Sequence, residues 1–400
     1  MLNLAGKGVK AQLDQWVAYF KKFADMFSTA KDVYTDLLGI DLDDSSITLT
    51  QFRNPLGVMR VARAEVIDLP AGVMLDDTII DNAALAGAIK KVIQDRGIRA
   101  ANAVIAIPGS KVVIKQVKLE AQLNDFDAEA RAWQEARKTF PEIAKSLYLD
   151  FIQVEEPGLG KNKKYNLVII AVRKEDILPR VECLQQSGLV TKIVDVDYYA
   201  LERAYQLFAS QLPPEHVIKY VAAIDFNPHS ILFLVLHKKK VVYYNRQAYT
   251  GDVLVPLVQR AMGLESVSVK NKPAIKTPLR ITPMQVPFQE TADASPVSQP
   301  TGLNDEQKSH VVMSIRRLFQ AFYGENPGRI IEHIALSGRC ALLSDVTQYV
   351  EKTLDIPVTV VNPLLSVRFG EKVYAEQVKK LGPAFTISCG LAMRGVPVWT

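Results

Sequence analysis

Two periods of hydrophobic and polar residues alternate along this chain. Near the start, Leu37, Leu38, Ile40 and Leu42 are followed by the polar stretch Asp43-Asp44-Ser45-Ser46 and then by Ile47 and Leu49. Two runs of β-formers around turn residues predict a β-hairpin. The chain writes it again: shifted by 184 residues, Ile40, Asp41, Ser46 and Ile47 fall on Ile224, Asp225, Ser230 and Ile231. After the first copy the pattern predicts a strand over 60–67 and a helix over 81–94. Leu85, Ile89, Val92 and Ile93 share that helix's apolar face, and Gly97 closes it. A strand over 103–107 stops at Pro108-Gly109. Strands, a helix and a further strand in this order are half of an α/β layer.

A separate β-α-β-β-α unit follows, with strands over 111–119, 148–154 and 165–172. Its first helix carries Leu123, Phe126, Ala130, Trp133, Ala136 and Phe140 as one stripe, capped by Asn124 or Asp125 and ended by Pro141. Its second helix is expected to be capped by Asp176 and closed by Gly188. The polar connection 155–164 contains Gly158, Gly160 and Lys161 but lacks the spacing of a phosphate loop, and reads as a turn. A strand over 189–196 and a helix over 198–209 return to the first half, and Pro213-Pro214 marks the boundary before the second copy. The second half predicts a strand over 241–244, helices over 252–262, 303–323 and 341–354, strands over 331–336 and 358–361, and a last helix over 385–394.

Two segments stand apart. In residues 1–31, Leu13, Trp16, Val17, Phe20, Phe23 and Phe27 form an apolar helical stripe backed by Lys7, Lys10, Lys21, Lys22 and Lys31. Such a helix packs on the protein body or a partner, or lies in a lipid interface. Residues 268–302 carry six prolines and are expected to be extended or mobile. The predicted division is therefore an N-terminal extension over 1–31, a first domain over 32–107 with 189–212, an inserted subdomain over 108–188, and a second domain over 213–400.

Composition narrows the function classes. Four hundred residues with 48% hydrophobic and 23% charged residues make a globular chain of two to three domains. A net charge of +5 with scattered lysines argues against nucleic acid and is compatible with an acidic membrane surface or partner. No apolar run reaches the roughly 18 residues a spanning helix needs, and no signal peptide opens the chain. Cys183, Cys340 and Cys389 have no metal-like spacing and read as buried hydrophobes in a reducing compartment. A cytosolic chain, or one lying on a membrane without crossing it, is expected.

The repeated turn suggests chemistry. An Asp at the inner end of an apolar hairpin needs a partner to offset its desolvation. Backbone N–H groups of a Ser- or Asn-containing turn can cradle a phosphate, with the Asp holding hydrated Mg²⁺. Asp41 and Asp225 are the candidate metal carboxylates, facing one another across a cleft.

These features together resemble the actin-like ATPase superfamily, which includes actin, sugar kinases and FtsA. Within it the chain is similar to the type IV pilus assembly protein PilM family. The phrases that carry the resemblance are Leu38-Gly-Ile-Asp41, Ala106-Ile-Pro-Gly-Ser110, Ile170-Ala-Val-Arg-Lys-Glu175, Val194-Asp-Val-Asp197 with Ala200-Leu-Glu-Arg203, and Ser388-Cys-Gly-Leu-Ala-Met-Arg394, in family order. The fold implied is α/β, a duplicated actin-like (ribonuclease H-like) fold of two domains around a nucleotide cleft, with an FtsA-like inserted subdomain.

The resemblance also implies a cytoplasmic scaffold, peripheral to the inner membrane. It would bind the N-terminal cytoplasmic tail of PilN, contact other pilus motor and inner-membrane proteins, and assemble as a homo-oligomer or ring. A peptide groove is expected near Pro108, Gly109, Ser110, Tyr148, Phe151 and Arg173. An ATP and Mg²⁺ site is implied at Asp41, Ser45, Ser46, Asp225, Asn227, His229, Ser230, Gly251, Ser337, Gly338 and Arg339, in a worn form. Asp43 and Asp44 bring negative charge to the first turn. Asn227-Pro228 replaces the family's Gly-Ala and removes a donor. Arg339 is expected to block the base or stack on it. With no residue to position water, the chain is at most a weak ATPase, and no catalytic residue is assigned. The alternatives are an FtsA-like filament or membrane-associated division protein, and a small-molecule kinase, which would need intact phosphate turns.

Overall fold

The computed structural model describes residues 36–54, 58–155, 164–217, 219–263, 303–371 and 373–396. The stripe of residues 1–31, the proline-bearing stretch 268–302 and the Gly158–Lys161 turn lie outside the described residues.

In chain order the first half contains β1 (Leu37–Asp43), β2 (Ser46–Arg53), β3 (Arg60–Asp68), the short β4 (Met74–Leu75) and β5 (Thr78–Ile79), α1 (Asn82–Asp95) and β6 (Asn102–Ile107). The inserted unit is β7 (Val112–Leu119), α2 (Asp125–Thr139), β8 (Leu147–Glu155), β9 (Tyr165–Arg173) and α3 (Lys174–Gln186). β10 (Val190–Val196) and α4 (Asp197–Phe208) complete that half. The second half runs β11 (Tyr220–Asn227), β12 (Ser230–His237), β13 (Lys240–Ala248), α5 (Leu254–Ala261), α6 (Asp305–Glu325), β14 (Ile331–Ser337), α7 (Ser344–Leu354) and β15 (Val358–Val360). Last come β16 (Arg368–Phe369), α8 (Ala375–Lys380) and α9 (Thr386–Ala392).

The duplication is visible in the sheets. The first has the order β10-β6-β1-β2-β3-β16 and the second β13-β12-β11-β14-β15. Read from the hairpin outward, β3-β2-β1-β6-β10 and β13-β12-β11-β14-β15 follow one plan. The hairpin and the strand after it pair antiparallel, and the remaining two strands are parallel. Asp43 pairs with Ser46 at the end of the first hairpin, and Asn227 with Ser230 at the end of the second. The 184-residue shift carries one pair onto the other. This is the duplicated actin-like architecture, an α/β fold in two similar halves.

Both faces of the hairpins are buried, which accounts for their nearly continuous apolar sequence. Along β12, Leu232, Leu234 and Leu236 enter the core between the two halves, while Ile231, Phe233 and Val235 enter the core under α5 and α6. The central core also takes in Val104 and Ile107 of β6, Ala204 and Phe208 of α4, and Val168 and Val172 of the inserted sheet. The inserted sheet has the order β7-β9-β8, leaving β8 at an edge.

Several local expectations change. On α2, Phe126 is 80% exposed, and the buried face is Ala128, Ala132 and Ala136, whose small side chains let the helix lie close on Leu167 and Ile169. α3 begins at Lys174 with no side-chain cap; Asp176 lies in its first turn and instead pairs with Lys111 at 3.0 Å. Cys183 and Leu184 of α3 join the core of the first half beside Leu85 and Ile89. Gly324 lies within α6, and that helix opens on a capping box of Asn304 and Gln307.

The C-terminal segment, expected with the second half, packs on the first. β16 pairs with β3, and α9 lies against β1, β2 and α4. This explains why the family-like phrases are spaced so far apart in sequence. A Cβ on Gly39 would collide with the backbone of Ser388 and Ala392, and one on Gly390 with that of Ala200. Thr50 Oγ1 lies 2.8 Å from Ser388 Oγ, and Arg203 Nε donates to Gly390 O at 2.9 Å. Asp195 is gripped by Arg203 and, at 3.4 Å, by Arg394. Gly109 N–H donates to Asp197 Oδ1 at 2.9 Å. Four of the distant phrases thus meet around α4 and α9.

Candidate functional site

The cleft between the halves is bounded by the β1–β2 turn, the β11–β12 turn and the turn after β14. Each turn ends a strand whose apolar faces are fully committed, so its polar residues are delivered to the cleft with little freedom. Ser45, Ser46, Asp225, Asn227, Ser230, Gly251, Ser337, Gly338 and Arg339 are all buried; Asp41 and His229 are partly accessible.

In the first turn Asp43 does the binding. Its Oδ1 accepts from Ser45 N–H at 3.1 Å and Ser45 Oγ–H at 2.9 Å. Asp44 turns outward and accepts from the backbone N–H groups of Asp76 at 2.7 Å and Asp77 at 3.0 Å. In the second turn Asn227 donates to Asp225 Oδ2 at 2.7 Å, and Ser337 Oγ–H donates to Asp225 Oδ1 at 2.9 Å.

Arg339 closes the arrangement. It follows Gly338, which sits at φ 85° against the backbone of Phe226, a position that excludes any side chain. Its N–H donates to Asn227 Oδ1 at 3.0 Å. Its Nη2 donates to Asp43 Oδ1 at 2.6 Å and to Ser45 Oγ at 2.7 Å. The guanidinium therefore points into the first turn. Beside it, His229 Nδ1 is 3.8 Å from Asp43 Oδ1, and His229 Nε2 is 2.9 Å from Asp252 Oδ1.

A second arginine crosses the cleft. Arg246 on β13 makes two hydrogen bonds to Asp77, at 2.6 and 3.2 Å, and one to Asp197 Oδ2 at 2.9 Å. Arg180 Nη2 donates to Asp77 O at 2.6 Å, tying α3 into the same cluster.

These charges set the proton affinities. Burial works against the Asp43 carboxylate, yet Arg339, His229 and Ser45 hold it well below the usual range. Burial and the neighbouring Asp225 push Asp41 up to about 8, and no hydrogen bond reaches its side chain among the described residues. Burial raises Asp225 to about 6, against the bonds from Ser337 and Asn227. The contact with Asp43 raises His229 to about 9.

ATP does not fit these residues. Both Ser45 donors are spent on the Asp43 carboxylate, Pro228 has no N–H to offer, and an arginine fills the space beside the turn, so that of the first turn's hydroxyls only that of Ser46 is without a partner among the described residues. No group of three or more His, Cys, Asp or Glu side chains able to hold a metal occurs among the described residues. Asp225 is near enough to raise the proton affinity of Asp41, and a pair of carboxylates holds Mg²⁺ only with phosphate oxygens or water completing its shell.

The residues expected to hold a peptide fall into two groups. Tyr148 and Phe151 line a groove of about 260 Å³ between α2 and the β8 edge, with Trp133, Glu129 and Lys174. Lys174 Nζ lies 5.5 Å from the Tyr148 ring centroid. Arg173, the residue before Lys174, pairs with Glu175 at 2.9 Å. Pro108 and Gly109 are buried and only Ser110 is exposed. Val112, Val172 and Tyr148 occupy one row of the inserted sheet, so the β6–β7 turn lies at the same end as Tyr148.

Sequence reasoning missed Asp43 as an anchor, and with it Arg246, Asp77 and Asp197. One signal was available: Asp43 and Asn227 occupy the same repeat position, 184 residues apart. Arg246, on a strand that pairs across to Leu232, carries no such mark.

The chain matches the family described as type IV pilus assembly protein PilM over residues 39–277 and 305–396. Among solved structures it is similar to a PilM–PilN type IV pilus biogenesis complex, at 19% identity over 90% of this chain and 99% of the other, with a TM-score of 0.63. It also aligns with a diol dehydratase-reactivating factor in nucleotide-free form, at 10% identity over 90% and 99% of the two chains and a TM-score of 0.44. A further alignment is to the ethanolamine utilization protein EutJ from Carboxydothermus hydrogenoformans, at 9% identity over 97% and 99% and a TM-score of 0.43. With the family match covering most of its length, this chain belongs to the type IV pilus assembly protein PilM family.

Proposed function

We propose that this protein is a cytoplasmic scaffold of a type IV pilus inner-membrane complex that holds the short N-terminal tail of PilN. The observation that carries the reading is the family match over both halves and the inserted unit. No helix among the described residues is long and apolar enough to cross a membrane, so attachment would come through partners or a surface contact. An FtsA-like filament role has no comparable support.

The groove beside β8 suits a peptide. Its floor is aromatic and aliphatic, its rim carries one acidic and one basic side chain, and β8 offers free edge hydrogen-bonding groups. Aromatic side chains on such an edge are the usual anchors of peptide affinity. Calorimetric titration of the full chain with a PilN N-terminal peptide tests the reading. Saturable binding is expected, weakened about tenfold or more by Tyr148→Ala or Phe151→Ala. No binding by the wild type would overturn the PilN assignment, and binding unaffected by both variants would move the site elsewhere.

A further inference from the structure

Ser45, Asp43, Asn227 and Arg339, which stand where a phosphate would be gripped in this cleft, grip one another. Asp43 and Asn227 stand at the same position of the two repeated turns, and both hold Arg339, one through the guanidinium and the other through the main chain. A residue of the second half thus penetrates the turn of the first. At 1% exposure its charge is removed from water and matched by a carboxylate that is itself 7% exposed.

We propose that Arg339 is a built-in occupant of the cleft, so that the two halves of this chain are held closed by an internal ion pair and need no nucleotide. Further observations point the same way. Ser45 N–H and Oγ–H are both bonded to Asp43, so neither is left for an external phosphate. Gly338 sits on the Phe226 backbone, which fixes where the Arg339 side chain starts. One amino group, Arg339 Nη1, has no hydrogen-bond partner among the described residues. Asp43 and Asp68 both feel the arginine's charge and would repel an anion brought to that nitrogen. Arg246, bound to Asp77 and Asp197, makes a second cross-cleft contact of the same kind.

The test is thermal unfolding of the full chain with MgATP up to about 5 mM, beside Arg339→Ala and Arg339→Lys. A ligand at about 100 times its dissociation constant stabilises by roughly 2.7 kcal/mol, a shift of several degrees in a chain of this size. The wild type is expected to shift by less than about 1 °C at any MgATP concentration. Arg339→Ala is expected to lower Tm by about 5–10 °C, or to abolish folding, because it strands Asp43 in the interior. Arg339→Lys keeps the charge without the fork and should fall between. A wild-type shift of several degrees with MgATP would overturn the proposal, as would an Arg339→Ala protein as stable as the wild type. The MgATP arm decides the matter even if the variants do not fold.

Discussion

Arg339 donates to Asp43 Oδ1 at 2.6 Å through its guanidinium and to Asn227 Oδ1 at 3.0 Å through its backbone. The two acceptors are the same position of a duplicated hairpin, so one residue joins both copies. In an actin-like fold this is where the halves must be told how to sit. Here the instruction is an ion pair supplied by the chain's own side chains, and a pilus scaffold built this way has a cleft that is a structural joint.

The pH dependence of stability should be dominated by this joint. Asp41, raised to about 8, takes up a proton in the folded state above the unfolded value of about 3.9. Its effect is therefore a loss of stability as pH rises from about 4 to 8. His229, raised to about 9, adds stability below about 6.5 that is lost as pH climbs through 9. Asp43 acts oppositely, contributing above about 4 and failing in acid. Tm should fall between pH 6.5 and 9, and Asp41→Asn should raise Tm at pH 7 and flatten the slope. A lowered Tm at pH 7 in this variant would contradict the account.

Arg246 should be among the most sensitive positions on the surface of the cleft. Arg246→Ala leaves Asp197, whose side chain is 4% exposed, without its cation and should cost about 3–5 kcal/mol in urea unfolding. Asp77→Asn removes a partner that is 22% exposed and should cost less than half as much. Equal losses would mean that Asp77, not Asp197, is the energetic partner.

Glycines separate close packing from open surface. Gly39→Val or Gly390→Val forces apart β1, α4 and α9, where the added atoms meet backbone, and soluble protein should be lost. Gly87 lies exposed inside α1 with nothing within 4 Å of a new Cβ. Gly87→Ala should therefore gain about 0.5–1 kcal/mol by helix propensity. Yield with far-UV circular dichroism checks the first pair, and urea midpoints the second.

The hairpins were legible in the sequence because both faces of β11 and β12 are buried, and apolar strands between polar turns have few other readings. Their shared offset announced the duplication, and the inserted unit was legible from its strand and turn pattern. What stayed hidden depended on contacts distant in sequence. Phe126 belongs by helical spacing to the apolar stripe of α2, but the alanine face won because only small side chains allow that approach to β9. The C-terminal helix reads as part of the half that precedes it, and its docking on β1 rests on Gly39 and Gly390, which carry no pattern of their own. The direction of Arg339 was invisible for the same reason. Its partner, Asp43, lies 296 positions away, and only the placement of both turns around one cleft brings the charges together.

A double-mutant cycle between Asp43 and Arg339 tests the joint most directly. Unfolding free energies of the wild type, Asp43→Asn, Arg339→Ala and the double variant are measured at pH 7. The account expects strong coupling, with the double variant at least about 1.5 kcal/mol more stable than the sum of the single losses allows. Losses that simply add would contradict it.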